Sequence, residues 1–343
     1  MLQHFKGSLL FTIAALGLGG WLGWQYTGTL EGVLSTVWIC AVLAVLEVSL
    51  SFDNAAVNAT VLKDMDPVWQ RRFLTWGIII AVFGMRIVFP LLIVAIAAHL
   101  GPVDALRLAL DKPNEYAEIL KGAHVGLMGF GGAFLGMVGL KYFFDSDKEV
   151  HWIAAIEGPL KRVANIEAVE IAVLLLAVYF TSTMLPAAEA STFLVAALFG
   201  LVSFIGVEIV GHVLEAPEET TGAVAKAGLG AFLYLEVLDA SFSFDGVIGA
   251  FALSTNLFII AIGLGIGAMF VRSLTIFLVK KGTMSEYLYL EHGAFYAILA
   301  LAGLMFTSTF HEVPEVLTGL VGASLIGIAF ISSVRWNKAN ANA

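Results

Sequence analysis

The sequence predicts an all-α protein: a polytopic bundle of transmembrane helices with about ten spans, nine also being possible, arranged around an internal inverted repeat. Three observations point there. Charged side chains make up only 13% of the 343 residues while hydrophobic ones make up 59%, with a mean hydropathy of +0.91. A soluble chain of this size needs about twice that share of charge to cover its surface. The apolar residues fall in runs close to the roughly 20 residues that cross a bilayer. Two of those runs also carry the same acidic motif.

Taken in order, the expected spans lie near 8–26, 33–57, 73–98, 123–144, 169–186, 191–214, 228–251, 257–279, 293–310 and 315–334, separated by polar breaks. Lys6 precedes the first run, but no small-x-small cleavage site precedes the polar break from Thr27 to Glu31, so an uncleaved first span is expected. The one cysteine, Cys40, lies inside an apolar run and reads as a packed thiol. Two connections, Gly101 to Lys121 and Val150 to Ala168, mix apolar and charged residues as helices lying on a membrane surface do. The glycine-dense stretch from Gly129 to Gly139 has no strand before it and is read as a close-packing helix face, not a dinucleotide loop.

Basic residues set the expected orientation. With a cytoplasmic N-terminus, thirteen Lys and Arg fall in inside regions and three, Arg107, Lys112 and Lys121, outside. Positive residues are retained on the cytoplasmic side, so both termini are expected in the cytoplasm of a multi-pass protein of the cell (inner) membrane. The formal net charge of −9 gives no basic patch for nucleic acid.

The repeat carries the chemistry. Leu46 to Ala59 reads LEVSLSFDNAAVNA and Leu235 to Ala252 reads LEVLDASFSFDGVIGAFA. Aligned on SFD, Glu47, Ser49, Ser51 and Asp53 match Asp239, Ser241, Ser243 and Asp245, with Glu236 an additional acid. Arg86 and Arg272 lie deep in the spans that follow each copy. The copies are five crossings apart and therefore run in opposite directions, the design of many secondary transporters. The expected organisation is a single membrane domain: a first half over 33–144, a connecting surface helix with spans 5 and 6 over 145–227, a second inverted half over 228–310, and a last span with a short tail over 311–343.

Carboxylates at bilayer depth are costly, about 2.5–3.5 kcal/mol each on insertion scales, and normally face a cavity or a partner. Five acids against two arginines leave negative charge for protons or a bound cation to balance. At 100° per residue Asp53 sits about 120° from Glu47, so a helix break at SxSFD in spans 2 and 7 is expected if each motif serves one site. The candidate donors are Glu47, Ser51, Asp53 and Asn54 from the first copy and Glu236, Asp239, Ser243 and Asp245 from the second, with Arg86 and Arg272 in a gating or charge-balancing role. A purely structural ion pair is an equal reading of the arginines. The donors are all hard oxygens, which suit magnesium, calcium or manganese. Glu208 and His212, spaced i, i+4, could relay protons or simply bond between helices.

At these residues the sequence resembles the TerC family of integral membrane proteins, in the LysE-type transporter superfamily, and most closely a branch catalogued as a domain of unknown function. The family's acid followed by S-x-D-N-A is similar to Glu47, Ser51, Asp53, Asn54 and Ala55. Its ExxDxxFxxDS motif is similar to Glu236, Asp239, Phe242 and Asp245, with Gly246 in place of serine. Thr255, Asn256 and Arg272, and the ending Gly139-Leu140-Lys141, add to the likeness, which runs from about residue 35 to 280. GVIGA replaces the usual SIPA stretch, and a second glycine-leucine-lysine ending is absent.

The resemblance implies a divalent-cation exporter, manganese first, with the cation as substrate and no permanently bound cofactor. Proton exchange is the expected coupling, since no ATP-binding motif is present. An alternative is a non-transporting scaffold of a metal-stress or tellurium-resistance complex, with the acids as a structural or regulatory cation site. No nucleophile pattern suggests an enzyme. The expected partners are membrane lipid, the cation, protons and a second copy of the chain in a homo-oligomer.

Overall fold

The computed structural model describes residues 2–77, 79–146, 148–166, 168–214 and 223–340, and among them every regular element is helical. Among the described residues eight helices are long and apolar enough to cross a membrane, which makes the chain a multi-pass membrane protein. They are α1 (Leu2–Thr27), α2 (Leu30–Leu50), the π-helical and α5 stretch (Ile80–Val88 and Phe89–Ala97), α8 (His124–Phe143), α11 (Ala187–Leu214), α13 (Leu257–Lys280), α15 (Leu290–Ser308) and α16 (Glu315–Asn340). Two further expected spans are α10 (Val169–Thr183), only 15 residues long, and α12 (Ala223–Leu253), which carries the second acidic motif.

Contacts group the chain into two compact units. The first comprises residues 1–51, 70–124 and 242–277, and the second 52–69, 125–241 and 278–343. Each draws on both halves of the sequence repeat.

In the first unit, α1 turns into α2 through Gly28, whose φ of +65° suits glycine, and Thr29 caps α2 by accepting the Gly32 N–H at 3.1 Å. Cys40 meets the Ile259 carbonyl, Leu43 packs on Gly263 and Glu47 on Gly267. The partner number rises with the chain, so α2 and α13 run parallel, as a second and an eighth crossing must. The connection after α5 folds into α6 (Pro102–Asp111) and α7 (Pro113–Gly122), helices at the position expected for surface segments. Their apolar face, with Ala105, Ala109, Tyr116 and Leu120, packs on Val94, Phe251 and Ile260.

The third span is not a plain α-helix. Phe73–Gly77 and Ile80–Val88 are π-helical, and the second stretch is closed by the Phe89 N–H bonding to Gly84 O, five residues back. Pro90 follows directly. Proline lacks the N–H that would bond to Arg86 O and crowds that carbonyl, which a wider turn relieves.

In the second unit, α8 is packed through its glycines as the sequence suggests. A Cβ at Gly132 would lie 2.6 Å from the Phe306 ring, one at Gly136 2.9 Å from Leu174, and one at Gly139 2.5 Å from Leu299. Pairing of Gly126 with Thr192, Gly129 with Phe193 and Lys141 with Glu208 makes α8 and α11 parallel, matching a fourth and a sixth crossing. Close approach through small residues is what lets helices pack where no hydrophobic force drives them together. Gly200 of α11 abuts the Phe130 backbone carbonyl, whereas Gly206 of the same helix has open space. Gly200→Ala is therefore expected to cost about 1–3 kcal/mol of stability through overpacking, with Gly206→Ala neutral or slightly stabilising. Thermal unfolding in detergent of the two variants checks the contrast.

The connection after α8 folds into a mostly exposed helix, as expected of a surface segment, and carries one buried acid. In this helix, α9 (Ala154–Val163), Glu157 turns inward and is 1% exposed. One carboxylate oxygen accepts the N–H groups of Trp152 (3.2 Å) and Ile153 (3.1 Å) and the Tyr296 hydroxyl (3.2 Å). The other takes Lys148 Nζ at 2.8 Å. Lys148 in turn sits over the rings of Tyr142 (4.3 Å) and Phe143 (4.5 Å). The connection is strapped to α8 and α15 by these contacts.

Candidate functional site

The first motif breaks as expected. α2 ends at Leu50, Ser51 stands outside helical geometry at φ −102° and ψ 18°, and α3 (Phe52–Lys63) begins at Phe52. The interruption leaves no Ser51 donor unpaired, because its N–H still reaches Glu47 O at 2.9 Å and its hydroxyl reaches the Glu47 carboxylate. The second motif departs from the expectation: α12 runs from Ala223 to Leu253 with no interruption at SFSFDG. There the Ser241 hydroxyl bonds back to Val237 O at 2.9 Å, satisfied inside the ladder, so nothing at this position draws the backbone open.

In the first unit, Glu47 is 5% and Arg86 3% exposed, and Arg86 Nη2 donates to Glu47 Oε1. The Ser51 hydroxyl donates to the same oxygen at 3.2 Å. Arg86 Nη1 donates to Ala81 O, the carbonyl five residues back in the π-helix, and its Nε is buried without a partner. Gly267 makes room for this acid, since a Cβ there would overlap the Glu47 side chain, whereas one on Gly246 would only come into ordinary contact with Glu47 Oε2 at 3.4 Å. Arg272 instead donates Nε to Leu74 O at 2.7 Å, gripping a carbonyl of the π-helical turn. Ser243 is half-buried on α12, while the side chain of Asp245 lies outside the described residues. Ser49 is turned outward and bonds to its own helix at Val45 O.

In the second unit, Asp53, Asn54 and Asn58 are buried along α3. Asp53 Oδ1 accepts the Asn54 N–H at 2.9 Å in the first turn of α3, where the helix dipole favours a carboxylate. Its Oδ2 lies against α16, 2.6 Å from where a Cβ of Gly322 would stand. Asn58 Nδ2 donates to Asp239 Oδ1 at 2.7 Å. Trp69, beyond the end of α3, packs on Phe232 and Gly228. As residue numbers rise from Asn58 to Trp69, those of their partners fall from 239 to 228. α3 and α12 therefore run antiparallel, as the sequence repeat requires of its two copies.

Among the described residues of this unit, three buried oxygens have no hydrogen-bond partner: Asn54 Oδ1, Asn58 Oδ1 and Glu236 Oε1. An unpaired buried polar group costs about 1–3 kcal/mol, so three acceptors of one kind call for a donor or a positive charge. At its far end α3 is tied by Lys63 Nζ to Glu291 Oε2 at 2.5 Å.

The predicted residues thus divide. Glu47, Ser51, Ser243 and Arg86 belong to the first unit, and Asp53, Asn54, Glu236 and Asp239 to the second. Among the described residues no group of three or more His, Cys, Asp or Glu is gathered as a metal site; the acceptors of the second unit are carboxamide as well as carboxylate. Glu208, a candidate relay, pairs with Lys141 of α8. Sequence reasoning did not reach Gly322 or the π-helical turn, and it did not count Asn58 among the donors. Asn58 had a signal, since it shares the stripe of Glu47, Ser51 and Asn54.

No curated protein and no solved structure gives a match. A family model described as "Protein of unknown function (DUF475)" matches residues 52–340. That stretch holds α3, α12 and α16 with Asp53, Asp239 and Gly322, and the chain belongs to that family.

Proposed function

We propose that the chain is a secondary transporter that exports a divalent cation, manganese first and calcium or magnesium as further candidates, across the cell membrane. The observation that carries this reading is that Asn54 Oδ1, Asn58 Oδ1 and Glu236 Oε1 are buried without a partner, Asn54 following Asp53 in α3 and Asn58 bonded to Asp239. Hard oxygen donors, neutral and anionic, are what such cations take in place of water. The interruption at Ser51 adds support, because non-helical backbone at membrane depth is tolerated where it lines a cavity. The resemblance to TerC-type proteins agrees with it. Carboxylates that release a cation can take up protons, so an inward proton gradient is the proposed drive, with Arg86 as the charge-balancing partner of Glu47.

The test is flux. In liposomes containing a manganese-sensitive dye, the unaltered protein is expected to admit manganese, and Asp53→Asn or Asp239→Asn to slow entry at least tenfold. Ser49→Ala, turned outward, leaves it unchanged. No flux through the unaltered protein overturns the transporter reading. One observation favours the scaffold alternative: Glu47 already has a permanent counter-charge in Arg86, as a structural ion pair would. Manganese binding without flux supports that alternative.

A further inference from the structure

The last span, α16, lies outside the sequence repeat, yet its backbone comes close to one of the acids. Gly322 is buried on α16, and a Cβ there would stand 2.6 Å from Asp53 Oδ2, 3.1 Å from its Cγ and 3.2 Å from its Cβ. The first distance could be relieved by turning the carboxylate. The third could not, because the Asp53 Cβ moves only with the backbone of α3. The other carboxylate oxygen is engaged by the Asn54 N–H at 2.9 Å, and the next polar atom along, Asn54 Oδ1, is buried without a partner. The carboxylate of Asp53 is therefore held between the first turn of α3 and bare backbone of α16.

We propose that Gly322 is a positioning residue for the cation site: its missing side chain sets where the Asp53 carboxylate stands and how much room a cation has beside it. This deepens the reading of a divalent-cation transporter and rests on it. Any side chain at 322 pushes α16 away or turns Asp53 out of line, and either change alters the coordination distances that a hard cation demands. The effect is selective by size. Calcium takes oxygen ligands at about 2.3–2.6 Å and magnesium at about 2.0–2.1 Å, so crowding at Asp53 penalises the larger ion more. A glycine that merely eases helix packing would weaken both ions alike.

Binding of manganese alone, and its displacement by calcium or magnesium, measured on the full chain in detergent, tests this. Gly322→Ala is expected to weaken manganese binding at least tenfold and calcium competition more than magnesium competition. Gly327→Ala, on the same helix with nothing within 4 Å of the added methyl, keeps the original affinities. Equal behaviour of the two variants overturns the proposal while the cation reading stands. No manganese binding to the unaltered protein overturns both. If Gly322→Ala does not accumulate in the membrane, Asp53→Glu probes the same contact from the other side, and unchanged affinity in that variant overturns the proposal.

Discussion

Replacing Arg86 by methionine is expected to cost about 3–5 kcal/mol of stability, because it leaves the Glu47 carboxylate buried with no counter-charge. Glu47 is 5% exposed, and what remains to it is the Ser51 hydroxyl at 3.2 Å. Glu47→Gln is expected to be damaging in the same range, since it strands a guanidinium whose Nε already lacks a partner. The two losses do not add. Once one charge is gone, removing the other relieves a desolvation penalty, so Arg86→Met with Glu47→Gln lies closer to the unaltered protein than either single change. Unfolding midpoints of the four proteins in one detergent provide the cycle, and additive losses would show that the pair is not coupled. Flux separates stability from function: under the transporter reading the double variant stays folded and does not move manganese.

How much of this was legible in the sequence depends on how far the determining contact lies along the chain. The helical class, the helices at 102–122 and the close packing of α8 follow from composition and local pattern, and the structure has them. The break at Ser51 was legible too, because Glu47 and Asp53 are out of phase on one helix. The same reasoning failed for α12: phase shows that two residues face different ways, and a continuous helix can leave them so when each finds its own environment. The π-helical stretch at Ile80–Val88 was hidden because Pro90 allows several local outcomes, and the one adopted places Arg86 toward Glu47. Gly322 and Glu157 were out of reach for a simpler reason. Gly322 meets Asp53 269 positions away, and no local periodicity marks a glycine that must stay bare or a glutamate that must turn inward.

Glu157 makes the second large effect. Glu157→Gln keeps an oxygen to accept the Trp152 and Ile153 N–H groups and the Tyr296 hydroxyl, so the substitution removes charge and little else. Lys148, whose side chain is 8% exposed, then keeps the Tyr142 and Phe143 rings but loses its carboxylate. A buried ion stripped of its partner costs about 3–5 kcal/mol, against about 0–1 kcal/mol for a solvent-exposed pair such as Arg107 with Asp104. The pH dependence supplies an independent sign. Burial raises the carboxyl pKa of Glu157, but the Lys148 hydrogen bond and the Ile153 N–H outweigh it and hold the group below the ordinary glutamate value. A carboxyl with a depressed folded pKa contributes stability that is fully present above the unfolded pKa, about 4.3. That stability is lost as pH falls through the folded value. The unaltered protein is therefore expected to lose stability on acidification below about pH 4.3 more steeply than Glu157→Gln, the two curves converging as Glu157 protonates. Melting temperatures in detergent between neutral and acid pH read this directly. Parallel curves would mean that the charge on Glu157 does not hold the α8–α9 connection to α15.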